Sequence, residues 1–127
     1  MFKFSDKSEQ MLNTVQKELN ILAHEVIKIS PIDFSITEGF RDRMRQKELY
    51  NDGKSKTLNS KHCECKAIDI VCYKEGYTEP LRDIYIVIGL FLAKAKELNI
   101  NIRVGALWEK TSTKDNNFID AFHIEVE

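Results

Sequence analysis

The chain has 127 residues, 43% hydrophobic and 31% charged, with 19 Lys and Arg against 20 Asp and Glu for a net charge of -1. That length holds one domain around one core, and the composition excludes a disordered or fibrous chain. The near-neutral balance provides no positive field for nucleic acid or an anionic membrane. The most apolar run, Ile84 to Ala93, falls short of the ~20 residues of a membrane-spanning helix. The opening MFKFSDKSEQ has no apolar segment of the kind a secretory signal needs. Cys63, Cys65 and Cys72 are an odd number crowded into ten positions, a poor disulfide framework, and are expected to be reduced thiols.

Ser5 or Asp6 can cap a first helix whose Met11, Val15, Leu19, Leu22, Val26 and Ile29 recur every three or four residues until Pro31 ends it. His24 falls opposite that stripe and is expected to be a solvated surface histidine. Phe34, Ile36 and Glu38 alternate with Ser35 and Thr37 in a short strand closed by Gly39, and a shorter helix follows over Asp42 to Tyr50. The polar run Asn51 to Ser60 is a loop. Ala67 to Cys72, rich in β-branched residues, reads as a central strand. Pro80 suits the first turn of a long helix carrying Leu81, Ile84, Ile88, Phe91, Ala95 and Leu98. Ile100, Ile102 and Val104 alternate up to Gly105, and after the polar TSTKDNN the chain closes on a strand, AFHIEVE. The expected fold is α+β, two long helices packed on a small antiparallel sheet.

Two segments put metal-ligand side chains at the edges of these strands: Ser60 to Asp69, and Asp120 to Glu125. In Ala67 to Cys72 a period of two sends Ile68, Ile70 and Cys72 to one face and Asp69 to the other, where a buried carboxylate needs a cation. His62 can fold back beside Asp69, and His123 supplies a third ligand if the two strands are neighbours. Two His and one carboxylate are a catalytic zinc set with an open fourth position. Asp120, three residues before His123, is placed to take a proton from water at such a centre and pass it to a leaving amine.

The order Gly-Phe-Arg, Ser-x-His-x6-Asp, Gly-x-x-Trp and Asp-x-x-His-x-Glu runs through almost the whole chain. It resembles the zinc peptidases of peptidoglycan, a group that includes D-alanyl-D-alanine carboxypeptidases. In length and layout it is most similar to the bacteriophage L-alanyl-D-glutamate endopeptidases that serve as endolysins. The resemblance implies a single catalytic domain over residues 1–127, of the fold shared with hedgehog-like domains, without a separate wall-binding domain. It implies zinc on His62, Asp69 and His123, with Asp120 as catalytic acid and base. It places Arg41 over the metal site, to stabilise the oxyanion or hold a substrate carboxylate. Ser60 matches the serine of Ser-x-His, with a substrate-orienting or local structural hydrogen bond, and Gln46 and Tyr50 fall on the helix that lines the cleft. Trp108 is expected beside the cleft, for packing or substrate contact. The partner implied is the peptidoglycan stem peptide, met by a monomer that waits in the host cytoplasm until the membrane is opened.

The chain departs from that pattern at Cys65, where relatives have Gly, and at Leu107, where they often have an acid. If the Gly serves a positive φ, Cys65 strains its loop by roughly 1 kcal/mol or more. A rival closed zinc site from His62, Cys63, Cys65 and Cys72 has poor Cys-x-Cys spacing and needs Cys72 on the Asp69 face. Glu125 shares the face of His123 and either supports it or forms an ordinary surface ion pair. Two alternatives keep the fold: a D-alanyl-D-alanine carboxypeptidase or dipeptidase, and a non-catalytic binding domain.

Overall fold

The alternation around Phe34 and Ile36 builds β1 (Phe34–Glu38), which is joined by β2 (Ala67–Cys72), β3 (Ile102–Val104) and β4 (His123–Val126). The computed structural model describes residues 1–72, 81–107 and 120–127. Each neighbouring pair is antiparallel and the order is β1-β2-β4-β3, so β2 has a partner on both sides. Pro80, Trp108 and the TSTKDNN stretch lie outside the described residues. The last strand begins at His123, two residues later than the sequence pattern suggests.

One face of the sheet is apolar. Ile68, Ile70 and Cys72 from β2, Phe34 and Ile36 from β1, and Ile124 and Val126 from β4 are all buried there. Two helices close over it: α2 (Lys17–Ile29) with Leu19, Leu22, Ala23 and Val26, and α4 (Arg82–Glu97) with Ile84, Val87, Ile88, Phe91 and Ala95. The Phe34 and Phe91 rings meet edge to face at 5.7 Å. Burying one such large side chain contributes about 1.5–3 kcal/mol, which makes this layer the main source of stability. The opposite face carries Asp69 and His123, so the sheet separates core from chemistry.

The single N-terminal helix expected from the apolar stripe is in fact two. Ser5 caps α1 (Asp6–Leu12) by accepting from the Ser8 N–H, and α2 starts at Lys17. Polar tethers hold the break open. Thr14 Oγ1 donates to the Met11 carbonyl and accepts from the Phe40 N–H at 2.9 Å, and the Gln16 N–H donates to the Cys65 carbonyl at 2.9 Å. Gly39 is required here, because a Cβ would stand 2.4 Å from both the Met11 carbonyl oxygen and Thr14 Oγ1. Ile29 and Leu98, at the ends of the two predicted stripes, are exposed rather than core. His24 is not freely solvated: it is half-buried, with Nε2 2.6 Å from Glu9 Oε1 and Nδ1 2.9 Å from the Asn20 carbonyl.

Strict alternation in β1 would turn Glu38 toward the core with Phe34 and Ile36. A bulge at Thr37 prevents it: Ile36 is opposite Ile70, but Glu38, not Thr37, is opposite Asp69. After β1 comes α3 (Arg43–Asn51), capped by Asp42, whose side chain accepts from the Arg45 N–H at 2.7 Å.

Candidate metal centre

His62 lies in a 3-10 turn, Lys61–Glu64, that precedes β2 and is opened by Ser60, whose hydroxyl accepts from the His62 N–H at 3.1 Å. The turn ends at Cys65 with φ 61 and ψ 25, the left-handed conformation that glycine adopts most easily. This is the position where the resembled pattern has Gly. The reversal at Cys65 folds His62 back over Asp69, and the register of β2 and β4 sets His123 directly opposite Asp69.

The three side chains converge. His62 Nε2 is 3.1 Å and His123 Nδ1 3.4 Å from Asp69 Oδ1, and one ligand atom from each of the three lies within 4.8 Å of the others. Four ligands at about 2.0 Å around a tetrahedral zinc stand about 3.3 Å apart, so these spacings suit that ion. The outer ring nitrogens strengthen the fit. His62 Nδ1 donates to the Gly39 carbonyl at 2.8 Å, and His123 Nε2 donates to Glu125 Oε1 at 2.8 Å. Each bond uses the N–H of a neutral imidazole and turns the other nitrogen's lone pair toward Asp69. Two lone pairs facing a carboxylate need positive charge between them, which a divalent cation supplies.

Without a cation a proton fills that role, with an inner ring nitrogen donating to Asp69, and the pKa shifts belong to that protonated form. Burial alone would raise the Asp69 carboxyl, but hydrogen bonds from His123 and His62 hold it far below the usual carboxylate range. Burial would lower the His123 ring, yet Asp69 and Glu125 push it up to about 9. Burial, followed by the charge of Asp69, raises the Asp120 carboxyl. Asp120 is held at Oδ1 by the Phe122 N–H at 3.1 Å, and its own N–H donates to the Gly105 carbonyl at 3.1 Å. Gly105 leaves no space there, since a Cβ would come within 2.1 Å of the Asp120 carbonyl oxygen.

The centre opens into a cleft of about 370 Å³ whose lining includes Glu38, Arg41, Ser60 and Asp120 with the three ligand residues. The Arg41 side chain is largely covered and firmly held. Its Nε and Nη2 donate to the two oxygens of Glu38 at 2.6 and 2.5 Å, its Nη1 donates to Gln46 Oε1 at 2.7 Å, and Nη2 is 3.7 Å from Asp69 Oδ2. Burial would lower its pKa, but the Glu38 hydrogen bonds raise it.

Several expectations change in detail. Gln46 is fully buried beneath the cleft, not in its lining, and its amide also donates to Ser55 Oγ and the Thr57 carbonyl. Tyr50 is exposed and does not line the cleft. The four-ligand cysteine site does not form: Cys72 is in the core on the far face of β2, and His62, Asp69 and His123 form the metal-competent group among the described residues. Glu125 is 5% exposed and hydrogen-bonded to His123, which settles its two readings in favour of support. Sequence reasoning missed Glu38 as the holder of Arg41. The signal available was an acid three residues before an arginine, at the end of a strand whose core alternation it would have violated.

Residues 1–127 match the family model described as phage L-alanyl-D-glutamate peptidase. The chain is 31% identical over 134 residues to the L-alanyl-D-glutamate peptidase of Escherichia phage T5, with 98% of each covered. Its fold matches the crystal structure of the L-Ala D-Glu endopeptidase ChiX of Serratia marcescens with a TM-score of 0.80 and 25% identity, over 99% of this chain and 90% of that one.

Proposed function

Because this chain belongs to the phage L-alanyl-D-glutamate peptidase family, we propose that it cuts the L-alanyl-D-glutamate bond of peptidoglycan stem peptides with a zinc ion held by His62 Nε2, Asp69 and His123 Nδ1. It is a peptidoglycan hydrolase of phage endolysin type that acts on the cell wall. Among the described residues no helix is long and apolar enough to cross a membrane. The whole chain is read as one catalytic domain.

The observation that supports the metal most is the pair of imidazoles fixed from behind by Gly39 and Glu125, both aimed at Asp69. A zinc ion held by these residues would supply Lewis acidity, polarising the scissile carbonyl and easing the loss of a proton from the attacking water. Asp120 does the proton work. It lines the cleft, Phe122 holds one of its oxygens, no other described residue bonds the carboxylate, and its raised pKa suits both removing a proton from water and returning it to the departing amine. Arg41 contributes positive charge on the same side as Asp69. Three of its five N–H donors are committed to Glu38 and Gln46, which fixes the guanidinium and leaves two for a substrate oxygen. Ser60 shapes the His62 turn through its hydroxyl.

Metal analysis of the purified protein with mass spectrometry of digested peptidoglycan tests this reading. One zinc per chain and new N-terminal D-glutamate, lost on chelation and regained with zinc, are expected. Release of free D-alanine instead would make the enzyme a carboxypeptidase, and full activity in metal-free protein would remove zinc from the reaction.

A further inference from the structure

Substrate recognition at this cleft extends beyond the metal ligands. Glutamate in a peptide contributes one nitrogen and has two carboxyl groups, of which one continues the chain. The other stays free on the residue whose amine is released, only a few bonds from the scissile nitrogen. A cleft that places the scissile bond at the metal must therefore also accommodate a carboxylate.

The cleft has one wall suited to it. The reaction centre is taken up by the scissile bond, and three of the five Arg41 donors are held by Glu38 and Gln46. The remaining cations in the lining are Arg45, Lys54 and Lys56, from α3 and the loop that follows it. Arg45 Nη1 is 3.5 Å from Glu48 Oε2 with both side chains more than half exposed, a weak pair that a substrate can displace. Lys54 and Lys56 have no ion-pair partner among the described residues.

The wall is also built rather than loose. Gly53, at φ 76, turns the chain at the end of α3, and the N–H groups of Lys54 and Ser55 donate to the Leu49 carbonyl at 2.9 and 3.1 Å. The buried Gln46 amide donates to Ser55 Oγ at 2.8 Å and to the Thr57 carbonyl at 2.6 Å. The same side chain accepts from Arg41, so one amide sets the basic wall and the arginine at a fixed relation.

We propose that Arg45, Lys54 and Lys56 form a carboxylate-reading wall that makes the enzyme select stem peptides with a free glutamate carboxylate over those in which it is amidated. This rests on the proposed endopeptidase function. The contacts are charge-assisted but solvent-exposed, so they favour the free acid by about tenfold at low salt and by less as salt rises.

Two synthetic L-alanyl-D-glutamyl peptides, identical except that the free glutamate carboxyl of one is amidated, are compared for kcat/KM with zinc-loaded wild type and the Lys54→Met/Lys56→Met double variant. A wild-type preference of about tenfold that drops below about twofold in the double variant, and that weakens with added salt in the wild type, is expected. Equal cleavage of both peptides by the wild type, or a preference unchanged in the double variant, overturns the wall alone. Cleavage of neither peptide by the zinc-loaded wild type overturns the endopeptidase reading, and the wall with it.

Discussion

Asp69 and His123 face each other across β2 and β4, with Asp69 Oδ1 3.4 Å from His123 Nδ1. They are 54 positions apart, and only the antiparallel pairing of two strands brings them together. On the other side of β2 the bulge at Thr37 places Glu38 opposite the same Asp69. The result is a row of Glu38, Asp69 and His123 across three strands, with Glu38 holding the arginine and Asp69 the two imidazoles.

His123→Ala and His62→Ala should each lose both zinc and activity while keeping the far-ultraviolet circular dichroism of the fold, because the sheet's core face is untouched. Metal content by plasma mass spectrometry checks this. A variant that retains stoichiometric zinc would remove that residue from the ligand set.

Asp120→Ala should bind zinc normally yet lose about 10²–10⁴-fold in kcat, the usual contribution of a positioned acid-base group. Asp120 is not within the ligand trio, so metal content and rate should separate. Near-wild-type turnover with full zinc would assign the proton transfer elsewhere.

Glu125→Gln should weaken zinc binding by about 10–100-fold, as loss of a carboxylate behind a ligating histidine does. Competition with a chromogenic chelator measures it. Unchanged affinity would mean that the 2.8 Å bond to His123 Nε2 does not tune the ligand.

Gln46→Leu should cost about 1–3 kcal/mol of stability, because Arg41 Nη1 loses its partner in a largely buried setting. Denaturant titration gives that number. A neutral substitution would show that water replaces the amide without penalty.

Cys65→Gly should stabilise the protein by up to about 1 kcal/mol, since relief of the left-handed strain of a side-chain-bearing residue exceeds the extra freedom of the unfolded chain. Gly105→Ala should do the reverse and also slow the enzyme. Its new Cβ displaces the Asp120 backbone it would meet at 2.1 Å.

The strands, the long helix α4 and the shorter helix after β1 are local features, and short-range periodicity was enough to read them to within a residue or two at their ends. Periodicity could not detect the break between α1 and α2. The apolar stripe continues across it, and the groups that open it, at Phe40 and Cys65, are distant in sequence. The ligand candidates were legible because Asp69 interrupts a β-branched strand on its polar face and His123 sits in another, and the resemblance of the motifs joined them. The tertiary structure alone decided which ring nitrogens face Asp69, that Glu38 and Gln46 hold Arg41, and that Gln46 lies under the cleft. Those outcomes depend on strand register, a bulge and a hydrogen-bond network between remote residues. No local pattern encodes them, because each partner's position is set by a different element of the fold.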